Sequence, residues 1–218
     1  MHTLFFDLDG TLTDSKPGIT ACIRHALHAL GHKAPHGDEL HWCVGPPLKA
    51  SFAKLMGSSD PALLEQALLH YRERFSTVGL FENALYPGVL EALAELRGTG
   101  MRLFIVTAKP HVYARRIAEH FGLLEHFEEV HGSELDGTRG DKGELIAHVL
   151  ARHALDPARV LMIGDREHDM RGAAQHGITG IGALWGYGGE AELRAHGARH
   201  LAGGMQEVPA LVRRAFGL

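Results

Sequence analysis

Phe5-Phe6-Asp7-Leu8-Asp9-Gly10-Thr11-Leu12-Thr13-Asp14 carries the reading of this chain. An apolar run leads into two carboxylates spaced i, i+2, and then into a Gly-Thr turn. Side chains two apart on a strand point to the same face. Asp7 and Asp9 at a strand end therefore bring two carboxylates and a backbone carbonyl around one point. Such an oxygen-only set suits a hard cation such as Mg²⁺ with a phosphate beside it. One carboxylate is then left to attack phosphorus and the other to carry a proton. Asp-x-Asp-Gly is also ordinary turn chemistry, with Asp bonding the local backbone and Gly at positive φ. The rest of the chain decides between the two.

Four further apolar runs read as buried strands: 102–107, 127–131, 160–165 and 179–183. Helical patterns at 88–97, 112–121, 143–153 and 168–176 separate them. Strands alternating with helices predict an α/β fold, a doubly wound parallel sheet of Rossmann-like type covered on both faces. Residues 16–82 break the alternation. Amphipathic or Ala/Leu-rich stretches at 19–30, 47–56 and 61–75 have no strand between them, and Asp60-Pro61 has the form of an N-cap followed by proline at the first helical position. The prediction is a catalytic core of residues 1–15 and 83–218 with a helical cap domain, 16–82, inserted in it. A last helix is expected over 205–216.

Composition bounds the function. With 218 residues the chain can bury a core without disulfides, and its two cysteines, Cys22 and Cys43, fit a reducing, cytoplasmic setting. No apolar run approaches a membrane span, and no basic segment followed by an apolar one marks a signal peptide. A net charge of −4 argues against a nucleic-acid polymer as partner. It does not exclude a small phosphorylated metabolite, because a local cation dominates such a site.

Three of the expected strands end in residues of phosphate chemistry: Asp7, Thr107 and Asp165. In an open parallel sheet, ligands bind beyond the carboxyl ends of the strands near a topological switch point, so these residues can converge. Lys142 stands at a helix start, a place that favours anions. Taken singly, each has a plain structural reading: a β-branched strand residue for Thr107, a helix cap for Asp165, a first-turn acid for Asp169, a solvated amine for Lys142. Their joint order is what points to chemistry. Lys109 competes with Lys142 for a phosphate. Lys109 is closer to Thr107, but Pro110 is expected to turn the chain away after it, and Lys142 is preferred for its position at a helix start after a strand. Four histidines, His25, His28, His32 and His36, invite a metal reading, but Gly31 and Pro35 interrupt the helix that would align them.

With these residues in place, the chain resembles the haloacid-dehalogenase superfamily, in its phosphatase branch. Asp7–Thr13 is similar to that family's first motif, Ile105-Val106-Thr107 to the second, Lys142 to the third and Gly164–Asp169 to the fourth. The resemblance implies Asp7 as nucleophile forming an aspartyl-phosphate and Asp9 as general acid and base. It implies Thr107, Ala108 and Lys142 around the phosphate. Mg²⁺ would be held by Asp7, the Asp9 carbonyl and Asp165, with Asp169 in support. Ala108 stands where Ser or Asn is frequent, which removes a side-chain contact. The second aspartate, Asp9, sets the chain apart from the dehalogenases and phosphonate hydrolases, and Gly164-Asp165 from the sugar-phosphate mutases. Within the phosphatases the resemblance is greatest to the phosphoglycolate-phosphatase-like group, with nucleoside 5′-monophosphatase as the alternative. Cap residue Lys49 is a candidate substrate contact. A non-catalytic phosphometabolite-binding protein is the alternative of another class, since fold alone does not fix function.

Overall fold

The computed structural model describes residues 1–218. Two compact units emerge: Met1–Thr13 with Leu85–Leu218, and Asp14–Ala84.

The larger unit is built on a parallel sheet of six strands in the order β5-β4-β1-β6-β7-β8. These are β1 (Thr3–Phe6), β4 (Arg102–Pro110), β5 (Glu129–Ser133), β6 (Val160–Gly164), β7 (Thr179–Ala183) and β8 (Ala198–Ala202). Two-residue strands β2 (Thr13–Asp14) and β3 (Ala84–Leu85) pair separately where the chain leaves and re-enters this unit. The sheet's helices are α4 (Val89–Gly98), α5 (His111–His120), α6 (Lys142–Arg152), α7 (Glu167–Gln175), α8 (Glu190–Ala195) and α9 (Val208–Phe216).

Every residue of β1 is buried, which is why that strand reads as a continuous apolar run rather than an alternation. Phe5, Phe104, Val106 and Met162 face one layer and pack with Leu145, Ile146 and Val149 of α6 and Ala173 of α7. Phe6, next along the strand, points the other way and meets Phe127 edge-on at 5.7 Å. Strand order reverses at β1: successive strands run outward through β4 to β5, then return to β6 on β1's other side. That reversal is the switch point at which an α/β sheet opens a crevice at its carboxyl edge.

The smaller unit is helical: α1 (Lys16–Ala29), α2 (Leu48–Met56) and α3 (Pro61–Arg74), with a 3-10 turn at Gly37–Cys43 and a π-helical turn at Phe75–Gly79. Its core holds Cys22, Ile23, Leu27, Leu40, Phe52, Tyr71 and Phe75. The Asp60 side chain accepts from the Ala62 amide at 3.0 Å, the N-cap that Asp60-Pro61 predicts. Helix α1 starts at Lys16, three residues before its apolar pattern begins, because Pro17 sits in the first turn where proline needs no amide partner.

Two sequence expectations shift. The strand expected over 127–131 runs over Glu129–Ser133, because Phe127 is used as a core plug against Phe6. The strand expected over 102–107 runs on to Pro110, with a register irregularity between Val106 and Pro110, and the chain turns there into α5, for which Pro110 is the residue before the first turn. Strand β8 and helix α8 lie in a stretch for which no element was expected. No helix is long and apolar enough to cross a membrane.

Candidate active site

Strands β4, β1 and β6 are neighbours, with Phe6 in register with Ile105 on one side and Ile163 on the other. Their carboxyl ends therefore deliver Thr107, Asp7 and Asp165 to one crevice, and the Asp7 amide donates to the Ile163 carbonyl at 2.9 Å. Asp7, Asp165 and Asp169 place carboxylate oxygens within 4.8 Å of one another, all three residues buried.

Lys142 enters this cluster from the first position of α6. The Asp141 side chain caps that helix by accepting from the Gly143 and Glu144 amides. Capping fixes where α6 begins and aims the Lys142 side chain at the sheet edge. Its Nζ lies 2.7 Å from Asp169 Oδ1 and 2.8 Å from Asp7 Oδ1, and donates to the Val106 carbonyl at 2.9 Å. Burial works against the ammonium, but the Asp169 and Asp7 charges outweigh it and hold the Lys142 pKa above the ordinary lysine value. Lys142 is therefore a fixed positive charge.

The carboxylates are crowded. Burial raises the Asp165 pKa well above the usual range, and the Asp169 and Asp7 charges push it further. Asp169 is raised chiefly by burial, with Lys142 pulling the other way. Three buried carboxylates against one ammonium leave net negative charge in a low-dielectric crevice. An oxygen-only set of this kind fits a hard divalent cation, which would relieve that repulsion.

Several contacts hold the acids in place. Asp165 Oδ2 accepts from the Tyr187 amide at 2.8 Å, and Oδ1 from the Thr11 hydroxyl at 3.4 Å. Asp169 Oδ2 accepts from the Arg166 amide at 3.1 Å, so one oxygen caps α7 while the other faces Lys142. The cap reading and the chemical reading of Asp169 are thus both true of the same side chain. Gly10, at φ +80°, is required here: a Cβ on it would lie 2.2 Å from Asp165 Oδ2.

Asp9 is held differently. Its Oδ2 pairs with Lys109 Nζ at 2.9 Å, and both side chains are largely buried. Oδ1 is buried without a hydrogen-bond partner. Lys109 follows Thr107 by two on β4, past the residue at which that strand was expected to end. The Thr107 hydroxyl accepts from the Lys109 amide at 3.3 Å, and the Ala108 carbonyl accepts from Ser133 Oγ at 2.8 Å. Trp185, which follows β7 by two residues, donates its Nε1–H to the Thr11 carbonyl at 3.0 Å and braces the turn after Asp9. Its signal in the sequence is the glycine-rich stretch Trp185-Gly-Tyr-Gly-Gly189 following a strand.

Lys49 belongs to the helical unit, on α2, half-exposed and 2.6 Å from Glu65 Oε1 of α3. That ion pair accounts for its position.

Comparison with known proteins agrees with this geometry. A 5′-nucleotidase of Pseudomonas aeruginosa is 47% identical over 197 residues, covering 90% of this chain and 89% of that protein. Tyrosine-protein kinase PtkA of Mycobacterium tuberculosis is 45% identical over 185 residues, but the chain spans only 62% of its length. Phosphoglycolate phosphatase of Vibrio cholerae matches at 29% over 84% of each chain. The crystal structure of a predicted phosphatase from Clostridium acetobutylicum superposes with a TM-score of 0.91 at 34% identity, covering both chains completely. The model of the haloacid dehalogenase-like hydrolases matches residues 4–183, from β1 through β7 and across every acid and amine described above. The chain belongs to the haloacid dehalogenase-like hydrolase family, among its phosphatases.

Proposed function

We propose that this phosphatase works through a covalent phosphate on Asp7, with Mg²⁺ as its metal. The observation that carries the reading is the pairing of roles at the switch point. Asp7 is buried beside a fixed ammonium and two further carboxylates, whereas Asp9, two residues on, keeps one oxygen unpartnered.

Asp7 attacks phosphorus, the bond to the leaving oxygen breaks, and Asp9 gives that oxygen its proton. Water then attacks the aspartyl-phosphate, Asp9 takes back a proton, and inorganic phosphate leaves with the Asp7 carboxylate restored. Lys142, the Thr107 hydroxyl and the Ala108 amide hold the phosphate oxygens. Asp7, the Asp9 carbonyl and Asp165, with Asp169 in support, would hold Mg²⁺, which when bound would supply positive charge against the repulsion between a carboxylate and a phosphate dianion. Lys109 keeps the Asp9 carboxylate in one rotamer through both steps.

Turnover of p-nitrophenyl phosphate with Mg²⁺, lost in EDTA and restored by Mg²⁺, is the direct test. Full activity in thoroughly chelated buffer overturns the site model. A folded protein that binds phosphate without any turnover favours the non-catalytic alternative.

For substrate, the preference among small phosphorylated metabolites turns from phosphoglycolate to nucleoside 5′-monophosphates. The support is the 47% identity to a 5′-nucleotidase over nearly the whole of both chains, against 29% for a phosphoglycolate phosphatase. In this mechanism the core residues named act on the phosphate, so the choice of leaving group is assigned to other residues, and Lys49→Ala tests whether the helical insertion's lysine takes part. Comparing kcat/KM for a panel of nucleoside 5′-monophosphates and 2-phosphoglycolate decides the class. The likeness to PtkA adds one control, incubation with ATP and a tyrosine-containing acceptor.

A further inference from the structure

A second group of metal-ligating side chains lies outside the site above, where edge strand β5 meets the end of α6. Glu129 and His131 come from β5, and His153 follows the last residue of α6. His131 Nε2 lies 3.0 Å from His153 Nε2. Glu129 Oε2 lies 3.4 Å from His153 Nε2 and 3.8 Å from His131 Nε2. Three ligand atoms from separate side chains thus converge on one point.

Their spacing fits a tetrahedral ion. Around a tetrahedral ion with bonds of 2.0–2.1 Å, ligand atoms sit about 3.3–3.4 Å apart. The observed separations, 3.0, 3.4 and 3.8 Å, bracket that value. A simple hydrogen bond between two imidazoles explains the shortest of them but gives Glu129 no part. A salt bridge to a protonated histidine is disfavoured. Burial holds both imidazoles below their ordinary pKa, against the pull of Glu129, and the neutral ring is the form that ligates.

The surroundings suit a metal as well. Arg152 Nη2 lies 2.9 Å from the second carboxylate oxygen, Glu129 Oε1, and so orients Oε2 toward the histidines. Phe104 packs against the His153 ring at 4.6 Å and limits its rotation. Glu129 and His131 also line an open pocket of about 190 Å³, from which water can complete the coordination.

We infer that Glu129, His131 and His153 form a Zn²⁺ site that clips the end of α6 to the sheet edge. Nitrogen and oxygen ligands in tetrahedral array select Zn²⁺ over Mg²⁺, which prefers six oxygens at octahedral geometry. The site is thereby chemically distinct from the Asp7, Asp165 and Asp169 cluster.

The test is Zn²⁺ binding by the full chain in millimolar Mg²⁺, measured by equilibrium dialysis and by thermal melting. Because the chain has 17 histidines, the difference between variants is read rather than total uptake. Wild type should bind one equivalent more than His153→Gln or Glu129→Gln, and Asp165→Asn should keep that equivalent. Zn²⁺ at 100-fold excess over its Kd should raise the wild-type Tm by about 5–10 °C and leave the His153→Gln Tm unmoved. Co²⁺ should give the strong visible absorption of a tetrahedral nitrogen-bound ion in wild type only. Normal Mg²⁺-dependent turnover by the two variants establishes that they fold. Equal Zn²⁺ uptake by wild type and both variants, or loss of the equivalent in Asp165→Asn alone, overturns the site.

Discussion

Lys142→Met probes the charge balance of the active site, because it removes an ammonium while leaving most of the side-chain volume. Nζ is the only cation within reach of Asp7 and Asp169 in the contacts described, at 2.8 and 2.7 Å, and the residue is 4% exposed. Removing one partner of a buried ion pair costs roughly 3–5 kcal/mol, mostly the penalty of leaving the other charge buried. For a chain of this length each kcal/mol moves Tm by about 2–4 °C, so the variant should melt about 6–20 °C lower in EDTA. Mg²⁺ should then raise the Tm of the variant more than that of wild type, since the ion no longer meets a like charge beside the carboxylates. Calorimetry of both proteins with EDTA and with Mg²⁺ measures each quantity. A variant that melts within 2 °C of wild type in EDTA, on the ~2–4 °C per kcal/mol scale, would falsify the claim that Lys142 neutralises this cluster.

Three further perturbations report on separate parts of the molecule. Asp7→Asn should leave the fold intact and abolish turnover, because an amide cannot form an acyl phosphate; wild-type-like rates in material shown free of deamidation refute it. Gly10→Ala should weaken Mg²⁺ binding by at least tenfold, since its Cβ would meet Asp165 Oδ2 at 2.2 Å and the backbone there has φ +80°; unchanged affinity by calorimetric titration sinks the idea. Glu82→Gln disrupts a bidentate pair in the helical unit, where Arg74 donates at 2.6 and 2.8 Å and holds the Glu82 carboxyl below its ordinary value. A depressed acid contributes stability above its unfolded pKa and loses it as pH falls through the folded pKa. The deficit of Glu82→Gln should therefore be about 1 kcal/mol at pH 7, after allowance for solvent screening, and shrink as pH falls through the folded pKa; a deficit that does not change between neutral pH and acid contradicts it.

The central strands were legible because each is an apolar run ending in an acid or a threonine. The sequence puts Asp7, Thr107 and Asp165 at strand ends, and the structure brings those ends to a common edge. Lys142 was legible through Asp141, whose cap marks where α6 begins. What escaped was carried by features without a one-residue signature. The pairing of Lys109 with Asp9 escaped because β4 runs beyond Thr107 to Pro110 through a register irregularity that no residue type marks. The amide of Tyr187 on Asp165 is a backbone contact, and any residue type would offer it. Edge strand β8, Ala198-Arg-His-Leu-Ala202, lacks the apolar density of the buried strands because one side of it has no partner strand. His131 and His153 come together only through the pairing of a strand with the end of a helix, 22 residues apart.

The pairing of β2 with β3 bears on how such a chain tolerates its insertion. For the larger unit, Asp14–Ala84 is a loop whose two ends are tied by their own short ribbon. Closure entropy grows only with the logarithm of loop length, about 0.6 kcal/mol per doubling. Once the ends are joined, the length and content of what lies between them weigh little on the sheet. Selection can therefore lengthen, shorten or replace the helical unit while the strand ends that carry Asp7, Thr107 and Asp165 stay as they are.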